Sequence, residues 1–363
     1  MNFCKPVLLV GSGVRAAGAA PLVVEFARKT RIPVLTTMNA VDLAQDDLHI
    51  GFIGTYGNRI ANTILGEADY VISVGARLGL RQIGHKPEWF APKARLVRAD
   101  VDQYELSRNV KDDEEKHLMD AKDFMEYLLA QDFPDFTAWH DKCMKAKQLL
   151  DGCDNTDGNN TVEAISALLP PNPIVTVDVG QHECWCAQSL HLKGHQGRIL
   201  IGGGYGSMGC GLPYAIGAAI ASGTTFCITG DGGLQMNIQE LEVLAREKLP
   251  VKIFVVNNHA LGKISEIQHG SYNDHYAQTT PESGYSVPDF EKVAAAYGIK
   301  AATLASYREL PAYASWFADG QPCLIDIHLP FDTLLIPKIK WETGLIMPRL
   351  DPALQAKVEE VLQ

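Results

Sequence analysis

The sequence has no Cys-x-x-Cys pair, no long apolar segment and no dense run of basic residues. Its eight cysteines are scattered through apolar stretches, which predicts reduced and mostly buried thiols rather than a disulfide framework or a zinc site. The apolar runs fall short of the roughly 18 residues that a membrane-spanning helix needs. The 32 Lys and Arg residues are outnumbered by 43 Asp and Glu residues, which argues against nucleic acid and anionic membranes as partners.

The amino terminus also lacks a signal-peptide pattern. Its apolar run is only about five residues long before Gly11 and is typical of a strand that enters a glycine turn. We therefore expect a cytoplasmic protein. At 363 residues the chain is long enough for two domains that each bury a core of their own.

Apolar runs alternate with helical stretches in both halves, which predicts an α/β protein with two doubly wound, Rossmann-like parallel sheets. We predict a first domain over 1–150, a linker over 151–160 and a second domain with the carboxyl-terminal tail over 161–363. In the first half the pattern predicts a helix at Leu22–Lys29 and strands at Pro6–Val10, Pro33–Thr37, Tyr70–Val74 and Leu96–Ala99. In the second half it predicts strands at Ile174–Val177, Phe226–Thr229, Lys252–Val256 and Cys323–Ile327, and helices at Gly209–Ala221, Ile238–Glu247, Asp289–Tyr297 and Tyr307–Phe317.

The most informative segment runs from residue 230 to 258 and reads GDGGLQMNIQELEVLAREKLPVKIFVVNN. Asp231 and Asn258 each follow a predicted strand, so both lie at the carboxyl edge of the sheet, where open α/β sheets bind ligands. A carboxylate and an amide oxygen suit Mg²⁺, which in turn neutralises a diphosphate. Gly232 and Gly233 leave backbone amides open to phosphate oxygens. Taken alone, Gly-Asp-Gly could also be an ordinary strand-to-helix turn.

This segment resembles the thiamine diphosphate (ThDP) signature, and two further motifs resemble acetolactate synthase. They are DVGQHECWCAQ at 178–188 and GYGSMGCGLPYAIGAA at 204–219. The resemblance implies that Gln181 and His182 approach the diphosphate and thiazolium end, although a lone buried histidine is more often a core residue. It also implies that the Gly206 carbonyl accepts from the cofactor's amine and that Met208 is the apolar wedge that bends the cofactor.

The resemblance extends to a full set of site residues. It implies cofactor contacts from Gln181, His182, Gly206, Ser207, Met208, Gly230, Asp231, Gly232, Gly233, Asn258, Ala260, Leu261 and Gly262. It implies three Mg²⁺ ligands, namely Asp231, Asn258 and the backbone carbonyl of Ala260.

In this family the catalytic glutamate belongs to an amino-terminal pyrimidine-binding domain, whereas the resemblance here begins on the central domain. We therefore expect a split enzyme. A separate pyrimidine-domain subunit would supply the glutamate in a hetero-oligomer with at least two copies of each chain. A truncated chain is the competing explanation.

The first domain resembles the central domain of acetolactate synthases, which cradles a non-redox FAD. The resemblance implies FAD contacts from Gly11, Ser12, Thr37, Met38, Gly75, Ala76, Arg77, Asp100 and Val101. Gly79 and Leu80 replace the acidic pair usual in the family, so a purely structural central domain stays an alternative. A nicotinamide site is not favoured, because GSGVRAAG lacks the third glycine of the GxGxxG fingerprint.

The resemblance implies a ThDP- and Mg²⁺-dependent carboligase. It would decarboxylate a 2-keto acid, with pyruvate the expected donor, and transfer the two-carbon acyl unit to a carbonyl acceptor that the sequence leaves open. The alternatives are a 2-keto acid decarboxylase subunit and a non-catalytic subunit that holds the cofactor.

Overall fold

The structure is a computed structural model that describes residues 3–43, 47–194 and 196–363. Its internal contacts divide the chain into two compact units. The first consists of Met1–Asp154 together with Ile336–Gln363, and the second is Asn155–Leu335.

A six-stranded parallel sheet forms the centre of the first unit, with strand order β3-β2-β1-β4-β5-β6. The strands are β1 Pro6–Val10, β2 Val34–Thr36, β3 His49–Phe52, β4 Tyr70–Val74, β5 Arg95–Asp100 and β6 Glu115–Leu118. The helices are α1 Gly13–Ala16, α2 Ala20–Thr30, α3 Arg59–Glu67, α4 Leu80–Ile83, α5 Gln103–Ser107, α6 Ala121–Leu129 and α7 Thr137–Leu149, with 3₁₀ turns at Met38–Ala40 and Pro87–Trp89. All five residues of β1 are buried, as expected for a strand covered on both faces.

The second unit repeats this architecture with a six-stranded parallel sheet in the order β11-β12-β10-β9-β7-β8. The strands are β7 Ile174–Val177, β8 Arg198–Ile201, β9 Thr225–Gly230, β10 Val251–Asn257, β11 Lys300–Leu304 and β12 Cys323–His328. The helices are α8 Asp157–Leu168, α9 Gln181–Ser189, α10 Gly211–Ser222, α11 Asp231–Met236, α12 Leu241–Glu247, α13 Gly262–Ser271 and α14 Phe290–Ala296, with 3₁₀ segments at Ile238–Glu240, Pro281–Ser283 and Tyr307–Phe317. The predicted fold class, two doubly wound parallel sheets, is confirmed.

Burial follows the apolar runs, and one exception is a lysine near the amino-terminal end of a central strand. Lys252 on β10 is fully buried, and its Nζ donates to the Trp316 carbonyl at 2.7 Å and lies 3.0 Å from Asp319 Oδ1. The ammonium is thus satisfied at the end of the strand while its aliphatic stem packs in the core.

All eight cysteines are free thiols. Among the described residues, none of the helices combines the length and the apolar character needed to cross a bilayer.

The structure adds the strands β3, β6, β8 and β11, which were not predicted, and it differs from the prediction in the tail, the linker and the segment 307–317. The tail forms a small hairpin of β13 Lys338–Ile339 and β14 Ile346–Met347 and a helix, α15 Pro352–Leu362, and it groups with the first unit rather than the second. It does so because α15 buries Val358 and Leu362 in the core of that unit. The predicted linker is shorter, since α8 already begins at Asp157. The predicted helix over 307–317 is a 3₁₀ helix with a proline inside it.

Candidate functional site

The two ends of the Gly-Asp-Gly to Asn-Asn segment lie side by side at the carboxyl edge of the second sheet. Strands β9 and β10 are parallel neighbours whose register pairs Gly230 with Val256. Asp231 is the next residue after β9, and Asn258 follows β10 directly. The strand order reverses between β7 and β9, which is the point where doubly wound sheets open a crevice for ligands.

A cavity of about 250 Å³ opens at this edge. It is lined by twelve of the thirteen residues predicted to contact the cofactor, namely Gln181, His182, Gly206, Met208, Gly230, Asp231, Gly232, Gly233, Asn258, Ala260, Leu261 and Gly262. The remaining one, Ser207, is exposed and does not line it. Six lining residues were not predicted: Val179, Gly180, Trp185, Val256, Lys263 and Ile264.

Asp231 is a buried carboxylate that interactions with the Gly232 backbone and the Tyr285 side chain compensate only in part. It is 3% exposed, and its Oδ2 has no hydrogen-bond partner. Burial raises its pKa from an ordinary 3.8 to about 7, because the charged form loses its hydration. A buried carboxylate oxygen that lacks a donor is suited to accept a cation.

Asn258 is oriented by Gln181. The Asn258 Nδ2 donates to Gln181 Oε1 at 3.1 Å, while Gln181 Nε2 donates to Glu266 Oε2 at 3.1 Å. Because the Asn258 amide uses its N–H here, its oxygen is left as the atom that can act as a ligand. Gly262 makes this arrangement possible, since a Cβ there would overlap Gln181 Oε1 and lie 2.7 Å from Asn258 Nδ2.

His182 lies at the start of α9 and is only 4% exposed. Burial lowers its pKa from 6.5 to about 4, so the imidazole is neutral at pH 7. Its Nε2 has no hydrogen-bond partner. Gly180 and Gly230 flank the ring, since a Cβ on either would lie 2.5 or 3.0 Å from His182 Cε1. The histidine is therefore a fixed, neutral hydrogen-bonding group in the cavity wall.

Asp178 is a buried anchoring residue that was not among the predicted site residues. Its Oδ1 accepts from the backbone amides of Val179 at 2.7 Å and Gly209 at 2.8 Å, and its Oδ2 accepts from Thr229 Oγ1 at 3.0 Å. It thereby ties the end of β7 to β9 and to the glycine-rich loop that carries Met208. In the sequence, Asp178 could have been identified by its position, because it is an acidic residue directly after a predicted strand.

The glycine-rich loop presents the predicted wedge beside the start of α11. Gly206 has φ +66°, a left-handed conformation that favours glycine. Met208 is 38% exposed, and its Cε lies 3.6 Å from where a Cβ of Gly232 would be. Gly232 and Gly233 are also required by packing, because their side chains would meet Leu261 at 2.8 Å and Asp178 at 2.6 Å, respectively.

The donor set fits a hard cation. The described residues contain no group of three or more His, Cys, Asp or Glu side chains that could hold a metal ion. Mg²⁺, however, needs only one or two protein groups when phosphate and water complete its shell. The unpartnered Asp231 oxygen, the oriented Asn258 amide and the Ala260 carbonyl meet that need, and all three residues line the cavity.

The predicted FAD residues lie along the carboxyl edge of the first sheet. They lie at the carboxyl ends of four neighbouring strands: Thr37–Met38 after β2, Gly11–Ser12 after β1, Gly75–Arg77 after β4, and Asp100–Val101 at the end of β5. Gly11 packs directly against the Gly75 carbonyl, and Gly75 has φ +57°. Arg77 is largely exposed and pairs with Glu105 at 2.7 Å. The glycines at this edge are thus required by backbone packing within the unit.

Fold and site together define a class, the doubly wound α/β proteins that bind a ligand at the carboxyl edge of a parallel sheet. Residues 2–128 match the central domain of thiamine pyrophosphate enzymes, and residues 178–327 match their C-terminal TPP binding domain. The chain belongs to the thiamine pyrophosphate enzyme family.

Within that family its relatives are acetolactate synthase large subunits. The chain is 33% identical over 351 residues to the acetolactate synthase isozyme 1 large subunit of Escherichia coli, an alignment that covers 92% of this chain and 60% of the relative. It is 31% identical over 376 residues to a probable acetolactate synthase large subunit of Methanocaldococcus jannaschii, covering 97% and 62%. It is 30% identical to the large subunit of Lactococcus lactis, covering 92% and 59%. The chain thus spans about 60% of the length of these relatives.

Proposed function

We propose that this chain is the cofactor-holding part of a ThDP- and Mg²⁺-dependent carboligase of the acetolactate synthase type. The enzyme would decarboxylate a 2-keto acid, with pyruvate the expected donor, and transfer the two-carbon acyl unit to a carbonyl acceptor. The observation that carries this proposal is the buried Asp231 carboxylate, whose Oδ2 lacks a hydrogen-bond partner, at the same sheet edge as the oriented amide of Asn258.

Each residue of the cavity has a role in this proposal. Asp231, Asn258 and the Ala260 carbonyl hold Mg²⁺, which neutralises the diphosphate. Gly206 and Met208 orient the aminopyrimidine end. When bound, ThDP supplies the electron sink that allows the carboxylate of a 2-keto acid to leave.

The remaining walls keep the site dry and control protons. Val179, Trp185, Val256 and Leu261 give the cavity apolar walls that exclude water, which strengthens the electrostatic interactions inside it. His182 is neutral at pH 7 and therefore offers both a donor and an acceptor nitrogen to a bound oxygen or hydroxyl group.

We further propose that the catalytic glutamate is supplied by a pyrimidine-binding domain on a separate subunit. Exposed apolar side chains in and near the lining segments support this arrangement. Met208 and Ile264 line the cavity, and Tyr205, Met236 and Ile267 lie on the same loop and helices; all five have 38% or more of their surface exposed. Exposed apolar surface near a ligand site is typical of a surface that another protein covers.

FAD binding by the first unit is a second, separable proposal. The alignment of the predicted residues along one sheet edge supports it, whereas the close packing of Gly11 on Gly75 favours a structural role. Flavin absorbance of the purified chain, before and after denaturation, distinguishes the two. Stoichiometric release of flavin supports binding, and colourless protein that takes up no added FAD contradicts it.

The main test is a titration of ThDP against the full chain in the presence and absence of Mg²⁺, followed by addition of a pyrimidine-domain subunit. We expect Mg²⁺-dependent ThDP binding, and release of carbon dioxide from pyruvate only when both subunits are present. Product analysis then separates a carboligase, which forms a new carbon–carbon bond, from a simple decarboxylase, which releases an aldehyde. A pair that binds ThDP but releases carbon dioxide from no 2-keto acid would identify a non-catalytic subunit.

A further inference from the structure

A second buried carboxylate lies beside the loop that carries two of the proposed metal ligands. Asp326 belongs to β12, the parallel neighbour of β10, and is 3% exposed. It does not line the cavity, and neither the sequence motifs nor the cofactor contacts include it. A carboxylate is costly to bury, so its position in the fold calls for a specific role.

Asp326 reaches the metal-ligand loop through Asn257, the last residue of β10. Asn257 Nδ2 donates to Asp326 Oδ2 at 3.2 Å, and Asn257 Oδ1 accepts from the backbone amide of His259 at 3.0 Å. A carboxylate can only accept hydrogen bonds, so Asp326 fixes which end of the Asn257 amide faces it. The oxygen of that amide is thereby directed to the His259 N–H.

His259 is the residue between Asn258 and Ala260, and its backbone is unusual. Its φ is +53°, a left-handed conformation that a residue other than glycine keeps only when its surroundings impose it. Asn258 and Ala260, on either side of this residue, both line the cavity. The ring of His259 also packs edge-to-face on His328 of β12, with centroids 4.6 Å apart. Contacts with β12 thus support the backbone turn between the two ligands.

We propose that Asp326 is a positioning residue of the Mg²⁺ site, which acts through Asn257 to hold His259 in its left-handed conformation. This conformation sets the relative position of the Asn258 amide oxygen and the Ala260 carbonyl. The inference rests on the proposed function and deepens it. Mg²⁺ requires a nearly ideal octahedron with ligands at about 2.0–2.1 Å, whereas Ca²⁺ accepts irregular shells at about 2.3–2.6 Å. Loss of positioning should therefore reduce the preference for Mg²⁺ over Ca²⁺.

The preference between the two cations separates positioning from charge. Burial is the main cause of the raised pKa of Asp231, and the charge of Asp326 adds to it, so Asp326 lies within electrostatic range of the site. A purely electrostatic role would change the affinities for Mg²⁺ and Ca²⁺ by the same factor, because both ions carry two positive charges. Only a change in geometry alters the ratio of the two affinities.

The test is a calorimetric titration of Mg²⁺ and of Ca²⁺ against the full chain at a fixed concentration of ThDP. Asp326→Ala and Asn257→Ala should each lower the ratio of Mg²⁺ to Ca²⁺ affinity about tenfold, within the range usual for the loss of an outer-shell partner. Asp326→Asn keeps an acceptor oxygen and should preserve the ratio. The double alanine variant should lower the ratio no further than either single variant, since both remove the same hydrogen bond.

The matched control is Asp332→Ala, at an exposed carboxylate of the same unit, which should leave the ratio unchanged. Urea denaturation verifies that each variant is folded. If neither alanine variant folds, the isosteric Asp326→Asn still decides, because a lowered ratio in that variant contradicts the inference.

Three other outcomes would overturn the inference. An unchanged ratio in both folded alanine variants would show that Asp326 does not position the ligands. Equal loss of affinity for the two cations would leave Asp326 with a role through charge alone. Additive effects in the double variant would show that Asp326 and Asn257 act separately. Wild-type chain that binds neither cation in the presence of ThDP would instead reject the proposed function itself.

Discussion

Replacement of Asp231 by asparagine should make the metal-free chain more stable and at the same time abolish Mg²⁺-dependent ThDP binding. Asparagine keeps the shape of the side chain and removes the charge. The carboxylate is 3% exposed and its Oδ2 has no partner, and interactions with Gly232 and Tyr285 offset only part of the cost of burying its charge. Asparagine removes that charge, and with it the ligand that Mg²⁺ requires.

The expected gain in stability on replacing Asp231 by asparagine follows from the pKa of Asp231. Burial raises this pKa from 3.8 to about 7. Between these two values the folded state holds a proton that the unfolded state has lost, so stability falls as pH rises through this window. The total loss is about 4 kcal/mol by pH 8, at 1.36 kcal/mol for each tenfold change in proton affinity. Asp231→Asn should recover a stabilisation of that order at pH 8 and almost none near pH 4.

The assay is urea denaturation of wild type and Asp231→Asn at pH 4 and pH 8, each with and without ThDP and Mg²⁺. Ligand at 100 times its Kd should stabilise wild type by about 2.7 kcal/mol and the variant not at all. Asp332→Asn, at an exposed carboxylate of the same unit, is the control and should change neither quantity. A variant that is less stable than wild type at pH 8, or that retains Mg²⁺-dependent affinity for ThDP, would refute this reasoning.

Three further predictions concern packing and hydrogen bonding. Gly262→Ala should weaken ThDP binding at least tenfold by calorimetry, because the new Cβ would overlap Gln181 Oε1 and displace the amide that orients the metal ligand. Asp178→Ala should lower the free energy of unfolding by about 2–4 kcal/mol in urea, because three donors lose their acceptor, and should expose the glycine-rich loop to proteolysis. Glu114→Ala should destabilise the first unit by about 3–5 kcal/mol, as followed by thermal unfolding, because Arg98 is left as an unpaired buried charge.

Each of these three has its own control. Gly217→Ala lies on α10, where a Cβ meets nothing within 4 Å, and it should leave ThDP binding unchanged. If Gly217→Ala weakened ThDP binding as much as Gly262→Ala, the proposed overlap of the Gly262→Ala Cβ with Gln181 Oε1 would be contradicted. Asp178→Asn should retain more stability than Asp178→Ala. If the glycine-rich loop of Asp178→Ala resisted proteolysis as well as that of wild type, Asp178 would not anchor this loop. Glu114→Ala should leave the ThDP affinity of the folded protein unchanged. A loss of ThDP affinity as large as the one expected for Gly262→Ala would contradict the assignment of the cofactor to the second unit.

The sequence determined the central strands of both sheets. The predicted strands Pro6–Val10, Tyr70–Val74 and Ile174–Val177 have the same bounds in the structure, because buried parallel strands are continuous apolar runs. In the two six-stranded sheets, the strands that were not predicted are β3, β6, β8 and β11, and these are the four edge strands. Edge strands are half-exposed and mix polar with apolar residues, as Glu115–Leu118 does. They therefore lack the continuous apolar run from which a buried strand is predicted.

The position of the tail was decided by tertiary structure alone. Its helical stretch has an apolar side that could cover either core, and only the packing of α15 on α7 in the first unit selects one of them. Short apolar segments carry no information about which distant surface they will cover.

The sequence was enough to identify candidate residues of the site, whereas the fold sets how deeply these residues are buried and whether they are charged. The order of Asp231, Asn258 and the glycines was enough to predict a diphosphate and metal site, because the carboxyl ends of neighbouring parallel strands must meet at one edge. Burial of Asp231, neutrality of His182 and the placement of Lys263 in the cavity wall depend on which atoms surround each group. Solvent exclusion and through-space charge set these properties, and both arise only when segments distant in sequence pack together.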